Sequence, residues 1–350
     1  MFLRKQLLGM DLGSHQIKAA QLSKKGDVYK LRKFGTIHIP GNTIVDGSIM
    51  NTYEINDAIK TMLAREKIRA KHCAIAIAGH GIINRMIDMP KVDDSDFGDA
   101  LRIEAESHVP HDIDEIYFDG IKTGLVDENK GKVILIAARK DLLGDFVQVV
   151  NDSGVKPMSV EIDASALTNI FLVNYPEEME SSVGLLNIGA SKTNIVVISN
   201  GNMAFYRDIP RGGNHITEEI TRKLKVSFQQ AESLKSGEQI AGDSILPNQV
   251  EDVVSEIAED MVADIRRVFD YYKSLGTEDD LSKTYITGGT TKSNTFTEVL
   301  KSKMDMEVEQ FNPFREIVVP GNVLSSDDME KNMSIASISL GLALRRLDES

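Results

Sequence analysis

Asp11 stands near the end of a short apolar run, Leu7-Leu8-Gly9-Met10-Asp11-Leu12. It is followed by Gly13-Ser14-His15 and by Lys18 on a second strand-like run from Gln16 to Leu22. That order of residue types suits an anion with a cation beside it. Gly13 permits close approach of the backbone, Ser14 is small, and the N–H groups of a Gly13-Ser14-His15 tip can turn toward phosphate oxygens. Asp11 offers hard oxygen ligands that would hold Mg²⁺ through water, and Lys18 can carry an ammonium to a β- or γ-phosphate. Taken alone, the same residues equally describe a tight hairpin with a buried, satisfied aspartate.

The pattern returns in the second half of the chain. Val183-Gly184-Leu185-Leu186-Asn187-Ile188 leads into Gly189-Ala190-Ser191-Lys192-Thr193, so that Asp11 aligns with Asn187, Leu12 with Ile188, Gly13 with Gly189 and Ser14 with Ala190. Such a second tip would take the phosphates from the opposite side, with a surface hairpin as the plain alternative. Glu232 and Lys235 are three apart and share a helical face, as a solvated salt bridge also would. Gly288-Gly289-Thr290-Thr291 ends a strand with glycines that let a flat base approach the backbone, or else Thr290 or Thr291 caps the helix running to Leu300. Asp163 is a candidate water-positioning acid, with a helix N-cap as the alternative.

These residues need strands and helices to hold them. Around the first tip the pattern predicts three strands, the third from Val28 to Ile39, then a helix from Glu54 to Glu66 and a buried strand from His72 to Ala78. Around the second it predicts Thr193 to Ser199, an Asn200-Gly201 hairpin turn and Met203 to Ile209, then helices at Ile216–Leu224, Gln229–Ser236 and Val250–Leu275, and a strand at Thr284–Thr287. Each half reads as βββαβ, which implies duplication. Between them Pro90 to Val150 reads as an insert: a helix from Asp94 to Val109, a strand near Tyr117 to Thr123, a charged turn Asp127 to Lys132, a strand Val133 to Ala138 and a helix Lys140 to Asn151.

Composition narrows the function. Forty Lys+Arg against 53 Asp+Glu give a net charge of −13, so nucleic acid and anionic membrane surfaces are unfavourable partners. The single Cys73 permits no intrachain disulfide and suits a reducing compartment. The seven histidines form no ligand cluster, and no run approaches the ~18 apolar residues that span a bilayer. The basic pair in Met1–Gln6 lacks the apolar stretch of a signal peptide behind it, so a cytoplasmic protein is expected. Ile335 to Leu347 reads as a core helix returning to the first half, since no polar linker detaches it as a membrane anchor.

Two halves of this kind, opening on Gly-Met-Asp-Leu-Gly-Ser-His-Gln-Ile-Lys, resemble the actin, Hsp70 and sugar kinase superfamily. End to end, the chain is similar to the PilM family, the FtsA-like cytoplasmic proteins of type IV pilus machines. The specific segments are Ile44-Val45-Asp46-Gly47 to Met50, Leu101 to Glu106 with Val109-Pro110, Arg207 to Gly213, and Asn312-Pro313-Phe314 with Leu340 to Arg345. The resemblance implies an α/β, actin-like ATPase fold of two duplicated RNase H-like halves, with an inserted subdomain in the first. The implied boundaries are 1–89 for the first half, 90–157 for the insert, 158–182 for a return to the first half, 183–213 for the second half, 214–280 for a helical subdomain, 281–330 for a return, and 331–350 for a C-terminal helix on the first half.

The resemblance further implies ATP or ADP with Mg²⁺ as cofactors, Glu232 and Lys235 at ribose and adenine, and Gly213 with Gly288, Gly289 and Thr290 around the nucleotide. The implied partner is the N-terminal cytoplasmic tail of PilN, held in a groove between the insert and the first half, where Glu104 and Glu106 either line the groove or face solvent. Pilus motor or platform proteins and self-association are implied as well, and a location peripheral to the inner membrane through PilN. A polymerising FtsA-like ATPase is the alternative function, and a sugar or metabolite kinase a third. Two features depart from the superfamily pattern. Asn187 stands where an aspartate is usual, which implies at most slow ATP hydrolysis, and Thr290 to Asn294 replace a commoner small and apolar run.

Overall fold

The computed structural model describes residues 7–79, 81–126, 130–237, 246–275 and 281–346; Met1–Gln6, residues 127–129 of the expected charged turn, and Leu347 lie outside the described residues. The chain divides into two units, one of Met1–Ser181, Val196–Tyr206 and Asn312–Ser350, the other of Ser182–Ile195 and Arg207–Phe311.

The first unit opens with β1 (Leu8–Leu12), β2 (Gln16–Lys25) and β3 (Val28–His38). β1 is buried throughout, which is why it reads as a continuous apolar run and not an alternating one. A two-residue ribbon of β4 (Ile44–Val45) and β5 (Ser48–Ile49) follows. Its turn places Asp46 and Gly47 at positive φ, and a Cβ on Gly47 would overlap the backbone of Ala78. Helix α1 (Thr52–Arg65) starts where Asn51 accepts the Glu54 N–H, and it buries Ile55, Ala58, Ile59 and Met62. β6 (His72–Ile77) then runs parallel to β1. Cys73 lies fully buried on it, and burial pushes its thiol up from 9.0 to about 12.

The insert is a sheet of its own. β7 (Ile82–Pro90), β8 (Ile116–Val126) and β9 (Lys130–Arg139) pair in the order β7-β9-β8. Helix α2 (Phe97–His108) packs Leu101 and Ala105 against Ile87, Met89, Val133 and Leu135. Helix α3 (Lys140–Asp152) sends Phe146, Val149 and Val150 into the core shared by α1 and β6. The strands of this sheet span Ile82 to Arg139, so its first strand lies ahead of residue 90. The sequence obscures this because β7 continues the apolar pattern of β6. β10 (Lys156–Ile162) and α4 (Asp163–Asn174) complete the first round.

The second unit carries β11 (Ser182–Ile188), the start of β12 (Thr193–Ser199) and the end of β13 (Asn202–Ile209), then α5 (Gly213–Leu224), α6 (Phe228–Lys235), α7 (Pro247–Ser274), β14 (Lys283–Thr287), α8 (Asn294–Lys303) and β15 (Glu307–Gln310). The β12–β13 turn places Asn200 and Gly201 at positive φ, the chemistry the Asn-Gly dipeptide signals. This sheet runs β13-β12-β11-β14-β15, and the first runs β3-β2-β1-β6-β10 with one further strand, β16 (Ile317–Val318), beside β3. Position for position the two orders are the same, which is the duplication in three dimensions. The fold is actin-like, α/β, with an insert in the first half.

The C-terminal segment forms α9 (Ser326–Asn332), a single turn at Met333–Ile335 and α10 (Ser337–Leu342). The expected helix from Ile335 is thus shorter than its apolar run, and every residue of α10 is buried. It packs on α4 and β1. A Cβ at Gly9 would overlap Ser339 O, and one at Gly341 would overlap Ala166 O, so glycine at both positions lets backbone meet backbone. Beyond α10, Arg345 pairs with the buried Glu161 carboxylate and its carbonyl accepts the Leu7 N–H at 2.9 Å.

Candidate functional site

In the first unit the β1–β2 register sets Asp11 opposite Lys18. Lys18 Nζ donates to Asp11 Oδ2 at 3.0 Å, with the side chains only 14% and 13% exposed. A Cβ at Gly13 would stand 2.9 Å from Lys18 Nζ and 2.9 Å from Gln16 O, so glycine keeps the tip clear for the ammonium. His15 meets His38 edge-on at 4.9 Å, and its carbonyl accepts the Ile39 N–H, which ties the tip to the end of β3. Asp163 is not an N-cap. Ile162 holds that position without a side-chain bond, and Asp163 is the first residue of α4, buried in the favourable field of the helix N-terminus.

In the second unit, the tip between β11 and β12 is held by its carbonyls. Gly189 O accepts from Gly213 N at 2.9 Å and from Thr290 Oγ1 at 2.8 Å, and Ala190 O accepts from Asn214 N at 2.7 Å. Thr193 Oγ1 donates to Arg211 O at 2.8 Å. A Cβ on Gly212 would overlap the Gly189 and Ala190 carbonyls, so the start of α5 approaches the tip only because that residue is glycine. Gly288 has φ of 99° and no room for a side chain beside Ile188. Ser191 and Lys192 sit half-buried at the tip itself. Thr290 and Thr291 lie in a short turn, Gly289–Lys292, and Ser293 caps α8 by accepting from Phe296 N, so neither threonine is the helix cap.

Glu232 and Lys235 meet at 2.6 Å, and the pair is partly buried. Lys235 Nζ also donates to Thr217 Oγ1 at 2.7 Å and to Gly213 O at 3.1 Å, which gives all three ammonium protons acceptors. The cluster locks α6 to the first turn of α5, beside the glycines that abut the tip. Asn187 donates from Nδ2 to Asn194 Oδ1 at 2.7 Å, and Asn194 Nδ2 donates to Asp208 Oδ1 at 2.6 Å. Gly212, Thr217, Asn194 and Asp208 were not among the expected site residues. Their signals were present: a Gly-Gly pair before a helix, and a lone amide inside the otherwise apolar Thr193–Ser199 strand.

Each tip can turn backbone donors to an anion, and each has a polar residue at the foot of its hairpin. Among the described residues no three His, Cys, Asp or Glu side chains gather as a metal cage. Mg²⁺ commonly takes one or two carboxylates and completes its octahedron with phosphate oxygens and water, so a largely buried Asp11 beside the Gly13 hairpin tip is a donor that fits it.

The sequence profile described as type IV pilus assembly protein PilM matches residues 9–347. Among curated proteins, the cell division protein FtsA of Streptococcus pneumoniae is 22% identical over 254 residues, covering 65% of this chain and 54% of that protein. The chain thus spans about half the length of that relative. Among solved structures, a PilM-PilN type IV pilus biogenesis complex superposes with a TM-score of 0.87 at 21% identity, covering 98% of each chain. MreB 5 of Spiroplasma citri bound to AMPPNP superposes with a TM-score of 0.53 at 11% identity, over 97% of this chain and 95% of that one. No helix among the described residues is long and apolar enough to cross a membrane.

Proposed function

Because the chain belongs to the type IV pilus assembly protein PilM family, we propose that it is an ATP- or ADP-binding scaffold that grips the N-terminal cytoplasmic tail of PilN. In this reading it links the inner-membrane alignment complex to the pilus motor from the cytoplasmic side. The observation that supports nucleotide binding is the doubled tip: two sheets of one strand order, each with a glycine hairpin and a polar foot, Asp11 or Asn187. Gly13, Ser14 and His15 would serve one side of the phosphates and Gly189 to Thr193 the other, with Glu232, Lys235, Gly213 and Gly288 to Thr290 toward the nucleoside. Bound Mg²⁺ would neutralise phosphate charge, held by Asp11 through water. With an amide at 187, turnover is expected to fall far below the ~1 to 10³ s⁻¹ of dedicated enzymes, so nucleotide acts mainly as a structural ligand. Calorimetry with ADP and ATP tests this, and a well-folded chain that binds neither refutes it.

The PilN tail is assigned to the groove bordered by the insert. Glu104 pairs with His108 and Arg102 with Glu106, each at 3.5 Å on the α2 surface, so a partner that takes either acid would compete with a contact along its own helix. Because Ile82 pairs with Ala138, the chain enters and leaves the insert at neighbouring positions, and residues 82–139 can be replaced by a short glycine linker. That deletion is expected to abolish binding of a synthetic PilN tail peptide in fluorescence anisotropy, while the rest of the chain keeps its melting transition. Equal binding by the deletion variant would move the partner site off the insert.

A further inference from the structure

Asn194 is fully buried in β12, and a carboxamide there needs partners at both ends. It accepts from Asn187 Nδ2 and donates to Asp208 Oδ1. Only one end of this chain of bonds has a fixed sense. A carboxylate accepts and does not donate, so Asp208 obliges Asn194 to turn its amino group toward β13 and its carbonyl toward Asn187. Asn187 must then give its own amino group. Its Oδ1 is left without a protein donor among the described residues, at the foot of the second tip.

We infer that Asp208 is a positioning residue that sets the direction of this amide relay, so that Asn187 offers its carbonyl oxygen to a water of nucleotide-bound Mg²⁺. The inference rests on the nucleotide reading above and deepens it. Asn187 is then an uncharged acceptor polarised by a carboxylate two links away, in place of a charged one. The same logic excludes a simple return to aspartate. A carboxylate at 187 would face Asn194 Oδ1, oxygen against oxygen, as long as Asp208 holds the amino end.

A double-mutant cycle on the full chain, unfolded by urea without nucleotide, reads the relay directly. Asn187→Asp should raise the unfolding constant about ten- to a hundredfold, the range for a lost buried hydrogen bond with an unpaired acceptor. Asp208→Asn can bond in either sense and should change it less than about threefold. The double variant Asn187→Asp with Asp208→Asn lets the relay run in reverse and should recover to within about threefold of the natural chain. Should Asn187→Asp alone not yield folded protein, recovery of a cooperative transition in the double variant is the same result. Additive losses would overturn the relay.

Calorimetry with ADP, with and without Mg²⁺, then reads its purpose. The double variant carries a carboxylate at 187 and should gain about tenfold in the ratio of its ADP affinity with Mg²⁺ to that without, since the added charge attracts the metal and repels bare phosphate. An intact cycle with no such gain overturns the assignment to the metal's water. An intact cycle in a chain that binds no nucleotide overturns it too, and places the fault in the nucleotide reading and not in the relay.

Discussion

Gly341→Ala is expected to lower the stability of the first unit by about 3 kcal/mol, the upper end of what overpacking costs in a core. The added methyl has nowhere to go. Its Cβ would overlap the carbonyl oxygen and carbon of Ala166, which are backbone atoms of α4 and cannot rotate away as a side-chain end would. α10 would have to lift, and it is buried along its whole length between α4 and β1. Gly9→Ala attacks the same seam from the other side, against Ser339 O, so the two changes should not add. The contrast is Gly144→Ala in α3. Gly144 is exposed, with nothing within 4 Å of its would-be Cβ, so alanine there should stabilise by roughly 0.5–1 kcal/mol through helix propensity and a less flexible unfolded chain. Calorimetric melting of the three single variants checks both signs. A Gly341→Ala chain that melts with the natural protein would mean that α10 does not sit this close to α4.

How much of this was legible in the residues depends on the range of the interaction. The two hairpin tips, the Asn200-Gly201 turn and α1 are set by residues within a few positions, and the pattern carries them. Recurrence of the tip also conveyed the duplication, which the matching strand orders confirm. Whether β7 joins the main sheet or β9 is decided by a partner about fifty residues later, to which no local signal points. The C-terminal helix α10 is shorter than the apolar run that signals it, because such a run reflects burial and not geometry. Gly9 and Gly341 looked like ordinary small residues, and only close backbone approach gives them their role. At the site, Glu232 and Lys235 fell on one face as their spacing requires. That Lys235 would be held by three acceptors depends on Thr217 and the Gly213 carbonyl, which come from a different helix.

Asp11→Ala should separate two roles that nucleotide affinity alone would blur. In the natural chain Asp11 both binds the Lys18 ammonium and supplies the carboxylate assigned to hydrated Mg²⁺. Removing it deletes the metal's protein partner, so the gain in ATP affinity on adding Mg²⁺ should shrink about ten- to a hundredfold, the worth of one or two charge-assisted hydrogen bonds. It also releases Lys18. A largely buried ammonium without its partner seeks another anion, and in the proposed reading a phosphate at the Gly13 tip is the one it would meet. ATP affinity in the presence of a chelator should therefore hold steady or rise. Asp11→Asn keeps the side chain's size while removing its charge, and it should behave in the same sense with less loss of stability. Lys18→Met should do the reverse, weakening metal-free binding and leaving Asp11 a buried carboxylate without its ammonium. Titrations of the three variants with ATP, each with Mg²⁺ and with chelator, give the matrix that decides. A uniform loss in both conditions for Asp11→Ala would assign the residue to holding the β1–β2 hairpin together, and the metal would have to be placed through other groups.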